Sequence, residues 1–135
     1  MDQNTQTPVK LVAMLWRQPD MTFDQFVDHW LNHHGPLIRD TPNLARHILR
    51  YEQHVRHDEG PGSGVRGCDG VTIQWFAKIE DFWAFCSEPE YAELIAPDEA
   101  RFLSMKDIQW VMVDNPVVVI GDNACLAPVE DGSDA

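Results

Sequence analysis

Three runs of this chain, VKLVAMLW (9–16), VTIQWFAK (71–78) and IQWVMV (108–113), carry apolar residues at both odd and even positions. Successive side chains of a strand point to opposite faces, so a strand wetted on one side alternates polar with apolar. Runs that are apolar at both phases need cover on both faces. The chain must therefore supply, or recruit, a layer on each side of a sheet.

The segments between these runs indicate how one layer is made. Gln18-Pro19-Asp20 closes the first strand. Thr22-Phe23-Asp24-Gln25 then reads as a capping box, in which the Thr hydroxyl and the Gln amide engage backbone groups at a helix start. Phe23, Phe26, Val27, Trp30 and Leu31 follow at helical spacing, and Gly35-Pro36 is expected to end that helix. In LARHILRYEQHVRH (44–57) near-alternation predicts a second strand over the later part. A glycine-rich loop over 60–67 and the Asp69-Gly70 turn lead into the third strand.

From Ile79 the pattern is helical, with Phe82, Trp83 and Phe85 in one segment and Tyr91, Leu94 and Ile95 in the next. Breaks are expected at Pro89 and Pro97, with a third short segment from Asp98 to Leu103. The last strand passes Asn115-Pro116 and is expected to resume over Val117 to Ile120. The order β-α-β-β-α-β is the α+β pattern of ferredoxin-like folds. It assigns 9–121 to one domain, 1–8 to a flexible N-terminus and 122–135 to an acidic tail that is disordered from Glu130.

Right-handed crossovers put both helices on one face of such a sheet, leaving the other bare. A bare apolar face would span several hundred Å² on the order of what soluble monomers rarely expose. The simplest cover is the sheet of a second copy, with Val117 to Ile120 adding edge pairing across a homodimer; the alternative is a monomer with merely hydrophobic strands.

Composition narrows the partners. A net charge of −12, with only ten scattered Lys and Arg, argues against nucleic acid and anionic membrane surfaces. No window approaches a membrane-spanning length, and the polar start lacks the features of a signal peptide, which points to the cytoplasm. Cys68, Cys86 and Cys125 are odd in number and far apart, and are read as free thiols.

Among candidate functional residues, His34 has the clearest geometry. At 100° per residue from Phe23 it falls about 20° round the helix, within the apolar stripe, with His33 at the stripe's edge and His29 outside. Burial lowers an imidazole's pKa and suits it to acid/base work near neutrality, although a core histidine bonded to a carbonyl has the same pattern. His29 with His33, and His54 with His57, have spacings that a metal could use but no clear third ligand, so no metal is assigned. Asp69 and Asp98 fit a turn former and a helix cap. Tyr51 and His54 lie three apart on one strand, so at most one faces the helices. Trp30, one turn before His34, is a candidate pocket wall.

The sequence resembles the EthD family of dimeric α/β-barrel proteins. The resemblance is carried by Phe23-x-x-Phe26-x-x-x-Trp30-x-x-x-His34-Gly35-Pro36-Leu37, Arg50-Tyr51-x-Gln53-His54, Asp69-Gly70 with Trp75-Phe76, and Asp98-Glu99-x-x-Phe102. It implies a ferredoxin-like dimer and a cofactor-independent lyase of decarboxylase or dehydratase type, or a cyclase/isomerase. The implied substrate is a small phenolic or polyketide-like acid. His34 would be the acid/base group, with Asp98 as its orienter or as a polar pocket group, Tyr51 or His54 as a further polar group, and Trp30, Trp75 and Phe102 as pocket walls. A cyclase of this superfamily that works through Tyr and His on its second helix has no match here, since Phe85 to Tyr91 contains no histidine. The other readings are a non-catalytic dimer that binds an aromatic ligand and a cofactor-free monooxygenase.

Overall fold

The structure, a computed structural model, describes residues 8–61 and 67–122. Most of the expected flexible N-terminus, the centre of the glycine-rich loop, Cys125 and nearly all of the acidic tail lie outside the described residues. Four strands, β1 (Val9–Leu15), β2 (Arg50–Val55), β3 (Gly70–Phe76) and β4 (Gln109–Val113), form one antiparallel sheet in the order β2-β3-β1-β4. This is the α+β ferredoxin-like architecture, with one helical layer between β1 and β2 and another between β3 and β4.

Register divides the sheet cleanly. Leu11, Ala13 and Leu15 of β1 stand opposite Gln74, Thr72 and Gly70 of β3, and all six face the helices. Lys10, Val12 and Met14 stand opposite Trp75, Ile73 and Val71 on the other face. One apolar cluster gathers Leu11, Ile38, Leu44, Phe76, Phe85 and Ile95; a second gathers Ala13, Leu15, Phe26, Trp30, Phe102 and Leu103. Both lie between sheet and helices. The far face, with Val12, Val71, Ile73 and Val111, has no helix over it.

The capping box forms as expected: the Thr22 hydroxyl accepts from the Gln25 N–H at 3.1 Å and the Gln25 side chain accepts from the Thr22 N–H at 2.9 Å. The helix it starts does not end at Gly35-Pro36. α1 (Phe23–His29) widens into a π turn over Trp30–His34 and continues as α2 (Gly35–Arg39), followed by the short α3 (Pro42–Ala45). The second layer repeats the device. After α4 (Ile79–Ser87) the chain breaks at Glu88, and a π turn over Tyr91–Ile95 runs directly into α5 (Ala96–Phe102). The break at Pro89 is therefore real and the one expected at Pro97 is not.

Each proline follows a turn whose last bond spans five residues, Gly35 N–H to Trp30 O and Ala96 N–H to Tyr91 O. A regular α-helix would clash with the proline ring and leave a carbonyl without its donor. The π turn shifts the hydrogen-bond register immediately before each proline. The expected strand over Val117 to Ile120 also fails to form: those residues are without strand pairing, and Val117, Val119 and Ile120 are almost fully exposed. Among the described residues no helix is long and apolar enough to cross a membrane.

Candidate active site

The first π turn meets α5, the helix that follows the second. His34 closes the first, and its Nδ1–H donates to Asp98 Oδ2 at 2.8 Å; Asp98 lies just past the second. His29 Nε2, one turn earlier, donates to the other Asp98 oxygen at 2.9 Å, and Arg101 reaches that oxygen at 3.4 Å. Phe102 packs on both imidazoles, at 4.7 Å from His29 and 4.9 Å from His34. His34 and Asp98 are 5% and 4% exposed.

Burial pulls the His34 pKa below 6.5, against an upward pull from the Asp98 hydrogen bond and charge. Burial alone would raise Asp98, but hydrogen bonds from His34 and His29 outweigh it and hold the carboxyl below its usual range. Asp98 thus stays ionised, and an ionised carboxylate only accepts. The proton is fixed on Nδ1, and the Nε2 lone pair is left for the cavity that His34 lines.

That cavity, of about 50 Å³, lies between the sheet and the π turns, with Trp30, Ile95 and Phe102 among its apolar walls. Its polar lining is His34, Tyr51, Thr72, Gln74, Tyr91 and Glu99. Tyr51 is the strand residue that faces the helices. Its hydroxyl accepts from Gln53 Nε2 at 3.2 Å and from the Trp30 indole, and burial pushes its pKa up to about 12. Gln53 also donates to Trp30 O at 2.8 Å, so it ties β2 to the first π turn. A Cβ at Gly35 would lie 2.9 Å from Gln53 Nε2 and displace the end of that side chain.

Glu99, part of the Asp98-Glu99-x-x-Phe102 pattern, is not among the site residues expected from the sequence. It is 9% exposed, accepts from the Tyr91 hydroxyl at 3.1 Å on both oxygens, and burial raises its pKa to about 7. Gln74 Oε1 is buried with no hydrogen-bond partner. The signal for both was present: Glu99 sits at i, i+4, i+7 spacing with Ile95 and Phe102, and Thr72 and Gln74 share the buried phase of β3 with Phe76.

Two expected site residues lie elsewhere. His54 is on the opposite face of the sheet, half exposed and bonded to Glu52 at 2.7 Å, as the period of two requires once Tyr51 faces inward. Trp75 is also on that face, packed between Lys10 and Arg50 at 5.6 and 5.5 Å, so it cannot wall the cavity. Trp30, Phe102, His34 and Tyr51 are brought together as expected, and Asp98 stands behind His34. Asp69 is a structural clamp: its carboxylate accepts from Arg17 Nη1 at 2.6 Å and from the Arg17 backbone N–H at 2.9 Å. Among the described residues no group of three His, Cys, Asp or Glu side chains is arranged to hold a metal ion.

The sequence model of the EthD domain matches residues 18–106. The chain belongs to the EthD family. Among curated proteins none matches this EthD chain significantly. Solved structures do. A dimeric protein of ferredoxin-like fold from Bacteroides fragilis aligns at 15% identity and TM-score 0.59 over 79% of this chain and 95% of its own. SnoaB, a cofactor-independent oxygenase from Streptomyces nogalater, aligns at 10% identity and TM-score 0.57 over 84% and 97%. The hydroxynitrile lyase of Passiflora edulis aligns at 15% identity and TM-score 0.57 over 84% and 98%. At these identities the likeness is one of fold, and this EthD domain shares it with proteins of different chemistry.

Proposed function

We propose that this protein is a cofactor-independent enzyme, a lyase of decarboxylase or dehydratase type or a cyclase/isomerase, that moves a proton on a phenolic or polyketide-like acid through His34. The observation that carries the reading is the Asp98–His34 pair, with Nδ1 bound to the buried carboxylate and His34 itself in the lining of a largely apolar cavity. Nε2, neutral because burial lowers its pKa, takes a proton from the substrate; Asp98 stabilises the imidazolium. The imidazolium then returns that proton to a carbon or to a departing hydroxyl. Tyr51, held protonated, is a donor for a carbonyl oxygen on which charge develops. Phenols and β-keto acids delocalise that charge themselves, so orientation, exclusion of water and proton transfer are what the protein must supply.

Fold relatives described as a lyase and as a cofactor-independent oxygenase are compatible with such chemistry. A cavity of about 50 Å³ is smaller than the roughly 150 Å³ that accepts a benzene ring. In this proposal a ring enters by displacing Trp110, 47% exposed at the cavity's edge. The uncovered sheet face is assigned to a second copy, in line with the dimeric fold relative.

Turnover of a panel of phenolic and polyketide-like acids by His34→Ala tests the reading. The expected result is a loss of about 10² to 10⁴ in rate with ligand binding retained. Unchanged turnover would refute acid/base chemistry at His34. A wild-type protein that binds these compounds and converts none would instead be a non-catalytic binder.

A further inference from the structure

The cavity's polar groups are unequal in what they can accept. Gln74 is 5% exposed, and its Oε1 is buried without a donor, an arrangement that is costly until a donor arrives. No Lys or Arg is among the residues that line the cavity, whereas Glu99 is, and the Asp98 carboxylate stands directly behind His34. A ligand carboxylate placed here would lose its water, meet no cation, and face two acidic side chains. A neutral hydroxyl meets none of these penalties and supplies the donor that Gln74 lacks.

We propose that the sheet side of this cavity is a subsite for a neutral hydroxyl, a phenol or enol O–H that donates to Gln74 Oε1, and that Glu99 bars ionised carboxylates from it. The substrate's acid group, if it has one, stays at the Trp110 edge. Tyr91, whose hydroxyl donates to both Glu99 oxygens, positions that carboxyl. The remaining titratable groups around Glu99 are Asp98, Cys86, Tyr51 and His34. None of them is a fixed cation. The inference deepens the proposed function because it uses the same cavity, but it concerns recognition and is read by binding alone.

The test is calorimetric titration of the full-length protein with phenol, resorcinol, toluene and benzoate at pH 8. Phenol and resorcinol should bind at least about tenfold more tightly than benzoate. Gln74→Leu should weaken phenol by about tenfold, the value of one net hydrogen bond, and leave toluene unchanged. Gln74→Met, closer in shape, should give the same selective loss and guards against a misfolded Leu variant. Equal affinity of the wild type for benzoate and phenol, parallel responses of phenol and toluene to both variants, or no binding of any single ring would overturn the proposal. Loss of turnover in His34→Ala is a separate readout, so either conclusion can fail without the other.

Discussion

Replacing Glu99 by glutamine should make this protein more stable, by an amount that depends on pH in a calculable way. Glutamine keeps the size of the side chain and its acceptor for the Tyr91 hydroxyl. What it removes is the cost of ionising a buried carboxyl. Burial raises the Glu99 pKa from 4.5 to about 7. A group whose folded pKa is raised favours folding while protonated; its contribution is intact below pH 4.5 and is lost as pH rises through 7. At 1.36 kcal/mol per pKa unit the full loss is about 3 kcal/mol, reached near pH 8, with about 1 kcal/mol already lost at pH 5. Urea unfolding of wild type and Glu99→Gln at pH 4, 5, 7 and 9 measures the difference directly. Titrations at Asp98 and His34 occur in both proteins and largely cancel. The variant should match the wild type at pH 4 and exceed it by about 3 kcal/mol at pH 9, a shift of roughly 10 °C in Tm for a domain of this size. A difference that stays constant between pH 4 and pH 9 would refute the assignment of Glu99 as a desolvated carboxyl.

Three further perturbations probe other parts of the argument. Asp98→Asn removes the charge, and weakens the hydrogen bond, that raise the His34 pKa, so the acid limb of kcat/KM against pH should move to lower pH as the rate falls; a fixed limb would show that His34 is not the group being titrated. Gly70→Ala would place a Cβ 2.5 Å from Trp30 Cζ3, and the overpacking should cost about 1 to 3 kcal/mol, read as a lower Tm with altered Trp fluorescence; an unchanged Tm would contradict the close approach. Ile73→Glu puts a charge at the centre of the uncovered sheet face, opposite Val12, and light scattering should report a monomer where the wild type is a dimer. A monomeric wild type at micromolar concentration would refute the self-pairing of that face.

The strands and their order were legible because two-phase apolarity and the capping box act locally. What escaped depended on neighbours. Pro36 and Pro97 signal helix ends by their missing N–H, yet each sits in the first turn of a segment that runs on directly from a π turn. Taking Pro97 as a break hid Glu99, because Ile95, Glu99 and Phe102 fall on one face only if the helix runs through. His29 lies outside the stripe that faces the sheet, yet it reaches α5, where Asp98 is. Trp75 and His54 followed the family pattern, but strand parity places both on the face that the helices leave open. Val117 to Ile120 has strand composition and no strand neighbour in its own chain.

The same π turns bear on why the site is where it is. A π turn is an extra residue in a helix, and it is retained only where something offsets its poorer packing. Here both helical segments contain one, His34 at the end of the first bonds Asp98 just past the second, and each is followed by a proline that disfavours reversion to a regular turn. The first is held further by Gln53, which donates to the Trp30 carbonyl from β2 and is admitted by Gly35. Sheet, proline and glycine thus converge on the position of a single imidazole. A core histidine needs only a carbonyl to satisfy it. One with a buried carboxylate on Nδ1 and a place in the lining of a cavity has the arrangement that the proposed proton transfer requires.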